Sequence, residues 1–203
     1  QDQRYGITVT VSDLGYLGLM AVCWLDFAKQ TATQFDRMIF FPKGHTNLPP
    51  SSGDGCVHYK DKQLELTFTV QGSSRVLDLD CPIFPDHEEK GKKTHLRGTI
   101  TLQQDPSADS MVIATSWKEN RKAFYYNHKI NNMPAKGEIS IGNRVYTFAP
   151  QHSFAGLDWG RGRWTYKNRW YWGSASGMLN GSPFGWNIGY GFSDRTPATE
   201  NMI

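Results

Sequence analysis

With 203 residues, the chain has room for one large domain or two small ones, and a chain of this size buries roughly 70% of its unfolded surface. Charged residues at 20% and hydrophobic ones at 38% are the balance of a globular protein. A scattered net charge of +3 is too weak for a nucleic-acid binder, and no stretch approaches the roughly 18 apolar residues of a membrane span.

Aromatic residues at 13%, 20 glycines and few long apolar runs favour strand over helix. The N-terminal "QDQRYGITVTV" has no Met, no basic stretch and no apolar core of a signal peptide. It starts almost directly on a strand, and "ATENMI" stops without a tail, so both ends are expected to be cut and the native N-terminus to be missing.

In chain order, "YGITVTVS" (5–12) alternates, and "GYLGLMAVCWLDF" (15–27) is a long apolar strand. The turn Ser12-Asp13-Leu14-Gly15 joins them as a hairpin. "DRMIFF" (36–41) is a third strand, and the Pro-, Gly- and Ser-rich residues 42–55 form a loop. Residues 56–70 read as two strands around a turn at Lys60–Lys62, and 74–84 as a strand ending at Pro82. "PDHEEKGKK" is an exposed loop of mixed sign. Strands are expected at 94–103 and 111–117, with a turn at 104–110. Further strands follow at 122–130 and 137–150, the second bent at Gly142-Asn143. "NHKINNMPAKG" (127–137) reads as a dense polar turn, with Lys129 and Asn131 as ligand contacts or as plain surface residues. Many short strands at regular spacing predict an all-β fold, an antiparallel barrel or sandwich with room for two packed β units. No linker or repeat divides the chain, so 1–203 is expected to form one β domain.

Cys23, Cys56 and Cys81 are odd in number and widely spaced. They make neither a disulfide framework nor a metal knuckle, which fits a reducing compartment. The six histidines lack metal-ligand spacing, and Gly160-Arg161-Gly162 fits neither the dinucleotide nor the phosphate-loop pattern. No metal and no cofactor is expected. Asp78 and Asp80 in "LDLD" share a strand face, as a carboxylate pair or as a solvated face.

The densest stretch is "GLDWGRGRWTYKNRWYWGSASG" (156–177). Of the 7 tryptophans, Trp159, Trp164, Trp170, Trp172 and Trp186 fall in it or just after it. A strand running from Trp164 places Trp170, Trp172, Ser174 and Ser176 on one face. Asn180-Gly181 is the strongest two-residue hairpin signal. With that turn, Trp172 opposes Gly189, Trp170 opposes Gly191 and Ser174 opposes Asn187, so indoles lie over strand glycines. Indoles beside Asn168, Ser174 and Asn187 make either a ligand pocket or a packed aromatic core. "DWGRG" (158–162) reads as a turn fixed by an Asp158–Arg161 pair. In a functional version, Asp158 acts as acid or base and Arg161 as anion clamp.

The blocks "SFAGLDWGRGRWTYKNRWYWGSASG", "GWNIGYGF" and "ATENM", with "FYYNHKINNMPAKG" and "VSDLGYLGLM" upstream, closely resemble the DUF2804 domain family over nearly the whole chain. The resemblance implies a bacterial, cytoplasmic protein and a chain that is an internal fragment of a longer one. It implies no activity, because the family's function is not established. A looser likeness joins the chain to lipocalin-like proteins of the carotenoid-hydratase and AttH type. Three functions are weighed. The first is a barrel binding an apolar or amphipathic small molecule in a Trp-lined pocket. Its contacts would come from Trp159, Trp170, Trp172, Ser174, Asn187, Lys129, Glu200 and Asn201. The second is a metal-independent enzyme of the hydratase, cyclase or isomerase type using Asp158, with Arg161, and Glu200 or Asp194 nearby. The third is a structural domain without ligand.

Overall fold

A computed structural model describes residues 1–194 and 199–203. The expected "ATENM" block therefore begins on Ala198, outside the described residues. Among the described residues the regular structure is all strand, β1 to β13, without a helix, and all the pairings whose register is given below are antiparallel. The strands fall into two compact units, Gln1–Gln104 with Pro134–Ser153, and Asp105–Met133 with Phe154–Ile203.

In the first unit, β1 (Tyr5–Asp13), β2 (Leu17–Asp26) and β3 (Thr31–Phe40) form a three-stranded sheet with β2 central. The first turn is an Asx turn, the Asp13 carboxylate accepting the Gly15 N–H at 2.7 Å. Strand β2 buries Met20, Val22 and Trp24 completely or nearly so. Strand β3 starts at Thr31, five residues before the expected 36, because Thr31–Phe35 pairs onto β2 down to Asp26. The second sheet of this unit runs β4 (Cys56–Lys60), β5 (Glu65–Gln71), β6 (Ser74–Pro85), β7 (Lys93–Gln103), the later half of β9 (Phe124–Ile141) and β10 (Arg144–Phe148). Leu66, Leu79, Leu96, Ile100 and Ile139 fill its buried face, while the other face is polar.

Two proline-containing segments differ from the expectation. Strand β6 continues past Pro82 to Pro85, with the register shifting between Cys81 and Phe84. A bulge absorbs the residue that cannot donate to the ladder. Strand β9 is one strand of 18 residues where two strands and a polar turn over 127–137 were expected. Its two halves have different partners, β8 (Met111–Ser116) up to Lys129 and β7 from Ala135 onward. Between them Asn132 takes φ 61°, a conformation asparagine tolerates. The turn signals Asn, Pro and Gly therefore mark the change of partner. Gly142-Asn143 is the tight turn between β9 and β10, with Gly142 at φ 61°, not a bend within one strand.

In the second unit, β8 and β11 (Phe154–Arg163) both pair with the early half of β9, and β12 (Tyr171–Leu179) with β13 (Ser182–Tyr190) forms a separate hairpin. The core holds Met111, Ile113, Trp117, Ala123, Tyr125 and Phe192. Phe192 meets the rings of Trp117, Tyr125, Trp164 and Trp170 edge-on, at centroid distances of 5.1, 4.7, 5.4 and 5.2 Å. The strand expected from Trp164 starts only at Tyr171. Residues 164–170 are held instead by Asn168, whose Oδ1 accepts the Trp117 indole N–H and the Thr165 hydroxyl, both at 3.0 Å. Asn168 Nδ2 also donates to the Thr165 carbonyl, so local side-chain bonds replace a strand ladder here.

Candidate functional site

The hairpin forms as its turn dictates. Asn180 and Gly181 take φ 51° and 80°, the two positive values of a type I′ turn. The register follows, with Trp172 across from Gly189 and Ser174 across from Asn187. Trp170 and Gly191 lie just beyond the last pair, Tyr171 and Tyr190.

Asn187 is fully buried. Its Oδ1 accepts the Trp172 indole N–H at 2.6 Å, and its Nδ2 donates to the Glu200 carbonyl at 2.6 Å. Its backbone exchanges two hydrogen bonds with Met202. One side chain thus orients the indole and fastens the C-terminal segment to β13. Asn201 Oδ1 accepts the Gly189 N–H at 3.0 Å. Glu200 is buried at 4% exposure, and its side chain occupies the space over Gly189, where any Cβ would collide with the carboxylate. That approach is why Gly189 has to be glycine.

A second element reaches the indole from strand β9. Alternation puts Asn127, Lys129 and Asn131 on one side of that strand. Lys129 Nζ sits 2.7 Å from Asp158 Oδ1 and 4.2 Å from the centroid of the Trp172 ring. Asn127 Nδ2 donates to the same Asp158 oxygen at 3.0 Å and to the Trp159 carbonyl at 2.6 Å. Asn131 accepts the Ser174 hydroxyl at 3.0 Å and donates to the Trp186 carbonyl at 2.8 Å. Asp158 Oδ1 is therefore doubly bonded, while its Oδ2 has no partner among the described residues, and the residue is exposed. Trp159 packs its ring edge-on against Tyr126 at 5.2 Å. Trp170 and Trp172 are 55% and 47% exposed.

The expected Asp158–Arg161 pair is corrected. "DWGRG" is not a turn but the middle of strand β11, and residues three apart on a strand project to opposite faces. The ion-pair partner of Asp158 is Lys129. Asp194 pairs with Arg121, at 3.0 Å. Gly160 and Gly162 serve close approach: a Cβ at 160 would crowd the Asn127 amide, and one at 162 would collide with the Phe124 carbonyl. Sequence reasoning missed Asn127. Its signal was the two-residue period of polar side chains along 127–131, hidden by reading the segment as a turn.

No helix among the described residues is long and apolar enough to cross a membrane. No group of three or more His, Cys, Asp or Glu among the described residues is placed to hold a metal ion. The thiol of Cys81, pushed by burial up to about 11, stays protonated at neutral pH.

Residues 1–203 match the family described as Domain of unknown function (DUF2804), and the chain belongs to that family. No curated protein and no solved structure matches it.

Proposed function

We propose that this member of the DUF2804 family binds an amphipathic small molecule on the open side of the β12–β13 hairpin, in an antiparallel framework of the lipocalin-like kind. The apolar part of the ligand rests on Trp172 and its polar head meets Asp158. The observation that carries this reading is the Trp172–Lys129–Asp158 arrangement. The ammonium lies between an indole that is 47% exposed and a carboxylate with one open oxygen. The indole offers apolar area with little entropy to lose, and the open oxygen offers a strong acceptor. Because Lys129 and Asn127 already bind Oδ1, Oδ2 is the acceptor left open to a ligand. The head group therefore carries a hydroxyl or another donor, and an anionic head is disfavoured.

The test is a tryptophan-fluorescence titration with octan-1-ol, an apolar chain with a hydroxyl head, against octanoate, the same chain with an anionic head. A saturable change with the alcohol, weaker with octanoate and weaker again in Asp158→Ser, supports the reading. No saturable change with octan-1-ol in the folded protein, or equal binding of both probes, overturns it.

A further inference from the structure

We propose that the first unit carries a second binding site, for a polyhydroxylated ligand, on the polar face of its curved sheet. The register places Glu65, Asp80, Arg97 and Ser140 in one line across β5, β6, β7 and β9, and Thr67, Asp78, Thr99 and Glu138 in the next. Both lines open into a single concavity of about 570 Å³.

The concavity follows from the backbone. A Cβ on Gly98 would collide with the Glu138 carbonyl, and a Cβ on Gly137 with the Thr99 carbonyl. The two glycines sit diagonally across the β7–β9 ladder, two residues out of register on either side of the Thr99–Glu138 pair, and let the strands approach there.

The charges on this face are not arranged to cancel. Glu65 and Asp80 are direct cross-strand neighbours, a like-charge pair that costs stability. Both are relieved from the rim. Lys60 and His58 bind Glu65 at 2.7 and 3.0 Å, and His95 binds Asp80 at 3.1 Å. The hydrogen bonds from Lys60, then His58, hold the Glu65 carboxyl below its ordinary range. The centre is left open. Among the described residues, Asp78 accepts only the Thr99 hydroxyl, at 2.6 Å, and Glu138 only the Thr147 hydroxyl, at 3.1 Å. Arg97 sits across from Asp80 and Ser140 without an ion pair among the described residues.

Four carboxylates and one uncommitted guanidinium make a surface rich in acceptors. Its ligand has to bring donors. A polyamine would bring them but would set its charge over Arg97. Hydroxyl groups can donate to Asp78 and Glu138 and accept from Arg97 at once, and this selects a polyol such as a sugar or cyclitol.

The experiment is saturation-transfer NMR on the full chain with methyl α-glucopyranoside, myo-inositol, spermidine and citrate as separate probes. The expected result is transfer to at least one of the two polyols, with affinity reduced about tenfold or more in Arg97→Ala and in Asp78→Asn. Both positions are exposed, so unchanged melting temperatures show that the variants fold. Absence of transfer to both polyols, preferential transfer to spermidine or citrate, or polyol transfer untouched by both substitutions overturns the proposal. The octan-1-ol titration reports on the other unit, so the two readings fail separately.

Discussion

Lys129 and Asp158 form an ion pair at 2.7 Å between a side chain that is 6% exposed and one that is 52% exposed. The two halves of such a pair are not equivalent. Removing the carboxylate leaves a buried ammonium beside the Trp172 ring with no other ion-pair partner among the described residues, whereas removing the ammonium leaves a carboxylate that water and Asn127 still solvate. Asp158→Ala is expected to cost about 1–3 kcal/mol, less than a fully buried pair because water reaches Asp158. Lys129→Met is expected to cost under about 1 kcal/mol. Urea unfolding of both single variants and the double variant gives the coupling. Equal costs for the two single variants would contradict the asymmetry.

Asn187 is the joint between the hairpin and the C-terminal segment. Asn187→Ala strands the Trp172 indole N–H and the Glu200 carbonyl. The expected loss is about 2–3 kcal/mol. Hydrogen exchange at Met202 should accelerate, because the backbone pair Asn187–Met202 loses its side-chain support. A variant as stable as the parent, with Met202 still protected, would show that this segment is held by other contacts.

Glycines in this protein divide by what surrounds them. At Gly98 a methyl group would meet backbone, which cannot rotate away, and Gly98→Ala is expected to cost more than about 3 kcal/mol. Gly177 has nothing within 4 Å of a would-be Cβ. Gly177→Ala should be neutral or stabilising by about 0.5 kcal/mol. Thermal melts of the two variants side by side check the contrast, and a mild Gly98→Ala would remove the argument that this glycine curves the sheet.

The β12–β13 hairpin was legible in the sequence because its information is local. Asn180-Gly181 sets two positive φ values, and the pairing of Trp172 with Gly189 and Ser174 with Asn187 then follows by counting. The partner of Asp158 was not legible. A carboxylate three residues from Arg161 suggests a local pair, but strand geometry separates them, and Lys129 reaches Asp158 only through strand pairing. Strand β9 was obscured for a related reason. Asn132, Pro134 and Gly137 are turn formers by propensity, yet partner strands on either side make the segment one strand, with Asn132 at φ 61° where the partner changes. The polar face of the first unit needs the register of four strands at once. Asp78 and Asp80 were visible as residues sharing a face, but Arg97 and Glu138 joined them only through the fold.

His87 supplies a pH dependence with a definite sign. Its ring is 3% exposed, and Nε2 lies 2.7 Å from the Tyr146 hydroxyl, beside Trp24. Burial, reinforced by the Arg144 charge, lowers its pKa from 6.5, against the opposing pull of Glu88 and Asp86. The folded state therefore keeps the ring neutral at a pH where the unfolded chain has begun to protonate it. Stability from this group is complete above pH 6.5 and is lost as pH falls from there toward the lowered folded pKa. The slope approaches at most about 1.4 kcal/mol per pH unit, the limit for one proton. Urea midpoints between pH 7.5 and 5 should fall for the parent and stay flatter for His87→Phe. That variant also loses the Tyr146 contact, so it starts lower at pH 7.5 and the two curves converge on acidification. Parallel curves would mean that His87 titrates alike in the folded and unfolded states, and that its burial among Trp24 and Tyr146 costs the imidazolium nothing.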